Sequence, residues 1–183
     1  MERDNFSSLN PFPENSSESF LLSTDKDLFI SWTEQVLDSN FLYVTKLEGD
    51  SWSNKKLITK GTDWFVNWAD FPSISYNNLS NSIFSFHLQK SSEETFSYDV
   101  NYHINSKENW KDMNKIHDDN TFSEHGFVSS IPYKDGFMVS WLDGRNTYGV
   151  GDHGHAKGAM TIRSAILDSN GNIVSQNVID EMV

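Results

Sequence analysis

The sequence predicts an all-β fold, and three observations carry that prediction. Aromatic residues make up 14% of the chain, with six Trp, a composition suited to pleated, half-buried surfaces. Apolar and polar residues alternate with a period of two, and no helical pattern longer than a turn competes with it. The same order of features also recurs about every 55 residues. A short first run and a turn lead to an apolar run carrying a large aromatic (Trp32, Phe86 or Trp141), and Trp52 and Trp110 mark later turns in two of the copies.

The elements follow in order. Residues 1–18 are polar with Pro11 and Pro13, and read as a flexible lead-in. In the first unit, about 19–60, Phe20 to Ser23 and Leu28 to Trp32 are strands across the turn Thr24 to Asp27. Phe41 to Leu47 is a third strand, and Leu57 and Ile58 suit a short outer one. The second unit, about 64–118, gives Pro72 to Tyr76, Ile83 to Leu88, Tyr98 to Ile104, and an outer run from Trp110 to Ile116. The third, about 122–183, gives Phe127 to Pro132, Phe137 to Leu142, Met160 to Leu167 and Ile173 to Ile179. Four-stranded antiparallel units at this spacing imply a partial β-propeller of about three blades, since complete rings have roughly four to eight. Further blades or an oligomeric partner are then expected to close the ring; a compact β-sandwich of similar hairpins is the alternative.

Charge and residue usage narrow the functional classes. A net charge of -12 repels a phosphate backbone, and no stripe of Lys and Arg offsets it, so nucleic acid is not an expected partner. With no Cys, the chain has neither disulfides, thiolate metal sites nor a Cys nucleophile. No run approaches the ~18 apolar residues that span a bilayer, so no membrane partner is expected, and Met1 to Asn10 lacks the pattern of a signal peptide. Phosphate-binding glycine loops, Gly-x-Ser-x-Gly elbows and zincin helices are absent, and no cofactor is expected.

The non-repeating residues are the functional candidates. Two loops leading into inner strands, Trp64 to Asp70 and Ser123 to Gly126, place Asp70 and Glu124 at equivalent ends of neighbouring units, with Asn67, Trp68 and His125 beside them. Convergent carboxylates near a His and a Trp platform suit sugar binding or glycoside cleavage, with Asp70 and Glu124 as the catalytic pair. The alternative is that both carboxylates bond backbone amides at strand starts while Trp68 packs between units. Asp143 and Arg145 follow the core aromatic Trp141, either as an anion contact or as a local ion pair. The Gly-rich insertion Asn146 to Ala159 carries Asp152, His153 and His155, but His-x-His lacks further ligands at metal-site spacing, so no metal site is assigned.

The segments WFVNWADFPS (Trp64 to Ser73), SEHGFVSS (Ser123 to Ser130) and SWLDGRN (Ser140 to Asn146), with the Trp-marked turns, resemble the bacterial sialidase-like, or Asp-box repeat, propeller proteins. The resemblance spans about Ser19 to Val183 and corresponds to about the first half of such a propeller. Degenerate Asp boxes lie at Thr45 to Trp52, Ser106 to Trp110 and Asp168 to Gly171; such boxes support the fold and carry no catalysis. The resemblance implies exo-α-sialidase-like glycoside hydrolysis, a glycan ligand and an exported or periplasmic parent. In that family three Arg clamp the substrate carboxylate, a Tyr–Glu pair is the nucleophile and an Asp the acid/base. This chain has only Arg3, Arg145 and Arg163, so the clamp is incomplete and no catalytic role is carried over. A non-catalytic propeller that binds protein or glycan, or an inactive truncated product, are the alternatives.

Overall fold

The structure is a computed structural model and describes residues 10–106, 109–148 and 158–181. Among these residues the fold is all-β, built from three antiparallel sheets in chain order. The first comprises β1 (Ser16–Ser23), β2 (Leu28–Val36) and β3 (Ser39–Glu48), with β4 (Ser51–Trp52) and β5 (Lys56–Gly61) both paired to β3. The second runs β6 (Ile74–Asn77), β7 (Ser82–Lys90), β8 (Tyr98–Ser106) and β9 (Asn109–Lys115). The third runs β10 (His125–Tyr133), β11 (Gly136–Asp143), β12 (Thr161–Leu167) and β13 (Ile173–Glu181).

Most strands extend beyond the runs the alternation marks. β2 continues from Trp32 to Val36 and β10 starts at His125, because the backbone ladder is indifferent to whether a side chain is apolar. β6 is instead shorter, starting at Ile74 after Pro72. The lead-in is also shorter than its composition suggests. β1 begins at Ser16, Asn15 exchanges hydrogen bonds with the Gln35 backbone, and Phe12 meets Trp32 edge-on at 5.4 Å, covering it from solvent.

Two apolar clusters hold successive sheets together. Phe29, Leu42, Val44, Ile58 and Ile74 join the first sheet to the second. Phe84, Phe86, Val100 and Ile104 pack with Phe137, Val139, Trp141 and Leu167 to join the second to the third. The repeated aromatics Trp32, Phe86 and Trp141 are all buried, as their period predicts.

Polar ties fix how the first strands of the second and third sheets meet. Ser75 Oγ donates to the Ser130 carbonyl at 2.8 Å, and the two residues are 55 apart in sequence, the spacing of the repeat. Asn77 Nδ2 donates to the carbonyls of Gly136 (2.5 Å) and Lys134 (3.1 Å). β1 and β10 share a further irregularity: the ladder slips between Ser17 and Phe20 and between Gly126 and Ser129, with Glu18 and Phe127 at positive φ (55° and 51°). Such bulges bend a strand and re-aim its side chains.

Replacing Asn77 by Ala leaves two carbonyls between sheets short of a donor. The expected loss is about 1–3 kcal/mol of unfolding free energy in a urea titration, with the far-ultraviolet spectrum unchanged.

Candidate functional site

The loops leading into β6 and β10 meet at the start of β8. Asn67 to Asp70 forms a tight turn in which Asn67 Oδ1 accepts from the Ala69 amide (2.8 Å), and this turn holds Trp68 in solvent, 87% exposed. Tyr98, the first residue of β8, is 1% exposed and stacks on Phe65 at 4.1 Å. Its hydroxyl donates to Glu124 Oε1 at 2.8 Å and lies 3.4 Å from Asp70 Oδ2. Asp70 Oδ1 accepts from the Phe127 amide at 2.9 Å. The pair expected from sequence is thus brought together by a third residue, and Asp70 also makes the backbone bond of the structural alternative.

Gly126 is what permits this approach, since a Cβ there would stand 2.1 Å from Asp70 Oδ2. Burial pushes the Asp70 carboxyl up to about 6, with the Glu124 charge adding to the shift. Glu18, aimed by its bulge, contributes a carboxyl from the first sheet; burial and the Asp70 charge push it up to about 7. These carboxyls hold protons to unusually high pH. Asp70 also borders an open hollow of about 280 Å³ walled by Phe20, Phe71, Phe127 and Val128.

Next to Tyr98 and Glu124 in sequence, Asp99 and His125 belong to a cluster of opposite chemistry. His117 and His125 are buried and stack face to face at 3.8 Å and 3°. Asp119 Oδ1 bridges one edge of the stack, 2.7 Å from His117 Nδ1 and 3.2 Å from His125 Nε2. Asp99 Oδ1 faces the other edge, 3.4 Å from His117 Nε2 and 3.7 Å from His125 Nδ1. His125 Nδ1 also lies 3.2 Å from the carbonyls of Tyr98 and Ser123. The hydrogen bonds of the stack are made by the two Nδ1 atoms, His117 to Asp119 and His125 to backbone carbonyls, while both Nε2 atoms make none.

Burial would lower the pKa of His117, but Asp119 and Asp99 outweigh it and raise it. Burial would likewise raise Asp119, yet His117, His125 and Thr121 hold it well below the usual carboxylate range. Asp143, 0% exposed, accepts from Trp141 Nε1 (2.9 Å) and is gripped by Arg145 through Nε (2.7 Å) and Nη2 (2.9 Å). These bonds overcome burial and keep it ionised. Arg145 Nη1 also donates to Asp118 (2.7 Å), and Nη2 lies 3.3 Å from Asp119. It is therefore the ion pair of the two sequence readings, paired with three aspartates.

Asp99, His117 and His125 offer atoms within 4.8 Å of one another, as do Asp119, His125 and Asp143. Neither set fits an ion as arranged. An imidazole binds metal along a lone pair in its own plane, and one ion cannot lie in two parallel planes 3.8 Å apart. In the second set the Arg145 guanidinium already bonds both carboxylates. Asp152, His153 and His155 lie outside the described residues.

A separate chain of neutral imidazoles runs under Trp64, which stacks on His87 at 4.4 Å. His87 Nδ1 meets His103 Nε2 at 2.8 Å, and His103 Nδ1 meets Asp112 at 2.7 Å. Burial, with His103 adding, pulls His87 down to about 3, so this pair carries no proton charge at neutral pH.

Sequence reasoning missed Tyr98, Asp99, His117, Asp119 and Glu18. The polar run from His117 to Asp119 at the end of an outer strand was the available signal. Nothing in the local pattern marks Tyr98, which alternates like any core aromatic.

Two outcomes check this geometry. Arg145→Met strips the buried Asp143 of its guanidinium, and the expected cost is about 3–5 kcal/mol in urea unfolding. Asp70 has a folded pKa of about 6 against 3.8 unfolded, so the folded state binds the extra proton between those values and its stability falls as pH rises through them. Asp70→Asn should therefore gain thermal stability relative to the native chain as pH goes from 4 to 7, read as the difference in Tm. Comparison of the chain with family models, with curated proteins and with solved structures gives no match.

Proposed function

We propose that the three sheets are successive blades of a sialidase-like β-propeller, and that the chain binds and hydrolyses a glycoside where Asp70, Tyr98 and Glu124 meet. The serial strand order within each sheet and the ties between β6 and β10 support the architectural half. One observation carries the chemical half: a buried phenol joins two carboxyls from different sheets, one of which keeps its proton to about pH 6, beside a fully presented Trp68.

Glycoside cleavage needs a proton for the departing oxygen and a carboxylate to serve the attacking water. Asp70, raised by burial and bordering the hollow, is the donor. Glu124, more exposed than Tyr98, takes the proton of the water as it adds to the anomeric carbon and the glycosidic bond breaks. Tyr98 positions both carboxyls without reaching the ligand, and Trp68 offers its face to the apolar side of a sugar ring. Among the described residues the two guanidiniums both face aspartates, Arg145 on Asp118, Asp119 and Asp143 and Arg163 at 3.7 Å from Asp143, so neither is offered as a fork for a carboxylated sugar such as a sialic acid.

A panel of 4-nitrophenyl glycosides, together with a 4-methylumbelliferyl sialoside, tests this reading. Turnover of a neutral glycoside is expected, falling as pH rises through about 6 and dropping at least 100-fold in Asp70→Asn and Glu124→Gln. Turnover that survives both substitutions rejects the site. Binding that Trp68→Ala abolishes, with no turnover of any substrate, establishes the non-catalytic platform instead.

A further inference from the structure

A second hollow lies away from this site, between the first and second sheets. It has a volume of about 720 Å³, within the range of small-ligand sites. Its apolar surfaces come from Phe29 on β2, Tyr76 on β6, and the turn residues Trp52 and Trp110. The period alone assigns both Trp to the core, yet each is only partly buried and borders the cleft. Phe29 and Tyr76 lie 5.4 Å apart and, with Trp110, belong to or pack on the cluster that joins the two sheets, so one wall is rigid core.

The polar lining is distinctive in kind. Asn54, Asn81 and Asn105 bring three amides from three separate segments. Asn81 Oδ1 is taken by the Tyr76 hydroxyl at 2.8 Å, which leaves its Nδ2 to donate. The charged residues cancel: Asp27 and Glu48 against Lys46 and Lys56, with Lys46 already paired to Asp27 at 2.8 Å. One donor has no acceptor at all. Trp110 Nε1 is buried and makes no hydrogen bond, a cost that a ligand oxygen would remove.

We infer that this cleft is a second ligand site, independent of the Asp70–Glu124 site, and that it takes a neutral saccharide. The chemistry is complementary on each count. Sugar rings present apolar C–H faces to aromatic side chains and hydroxyls that both donate and accept, matching amides and the orphaned indole N–H. A net-neutral lining disfavours uronic or sialic acids and strongly basic ligands alike.

The experiment is a glycan array carrying neutral, sialylated and uronate-containing saccharides, probed with the labelled full chain. The variants are Trp110→Phe, which keeps the ring and removes the N–H, and Asn54→Ala at an exposed loop position, which spares the fold. Trp68→Ala reports on the other site, and circular dichroism and Tm confirm that each variant is folded. The expected result is capture of neutral glycans that Trp68→Ala retains, weakened about tenfold by Trp110→Phe and by Asn54→Ala. Capture of no neutral glycan overturns the inference. So does capture that only Trp68→Ala abolishes, or a set of bound glycans that is mainly acidic. Absence of glycoside hydrolysis leaves it standing, since the inference concerns binding alone.

Discussion

The polar centre depends on Asp143, a carboxylate wholly removed from water at the end of β11. An unpaired charge there would be costly, and the chain answers it with the Trp141 indole N–H and the Arg145 guanidinium. Once Arg145 is fixed on Asp143, its other face orders Asp118 and Asp119. Asp119 then sets one edge of the His117–His125 stack, and Asp99 sets the other. The first sheet repeats the device with different residues: Trp32 Nε1 donates to Glu34, and Lys55 pairs with that carboxylate. The first and third sheets thus share an acid two residues beyond the core Trp and a cation supplied from elsewhere, whereas the second has Phe86 and Leu88 at these positions.

Along the second and third sheets this arrangement sorts protons over a short distance. Asp70 and Glu18 sit where burial is uncompensated by any cation and keep their protons toward neutral pH. Asp99, Asp119 and Asp143 face imidazoles or a guanidinium and lose theirs readily. Tyr98 and Asp99 are consecutive, as are Glu124 and His125, and alternate side chains of a strand point to opposite faces. Environments that push like groups apart in pKa are the general basis for acid and base roles within one site.

The fold was largely legible. Alternation found the strands, and the recurrence of Trp32, Phe86 and Trp141 located the sheet cores, because burying one face of a strand imposes a period of two. Strand ends were less legible, since hydrogen bonding continues into polar residues such as Glu34 and His125. The site was half legible. Asp70 and Glu124 stood out as non-repeating acids at equivalent loops, but Tyr98 carried the signature of an ordinary core aromatic and Glu18 lay in a stretch that reads as lead-in.

By itself the sequence determined an all-β chain, its repeat length, a net charge of -12 and the absence of cysteine. These follow from composition and local period, which every residue carries regardless of its distant neighbours. Tertiary structure decided which acids meet. Tyr98 reaches across to Glu124 and Asp70, and Arg145 is consumed by Asp118, Asp119 and Asp143 instead of facing solvent. It also decided that Trp52 and Trp110 border a cleft. These outcomes depend on how one sheet packs against the next, a relation between residues 57 to 69 positions apart that no local pattern encodes.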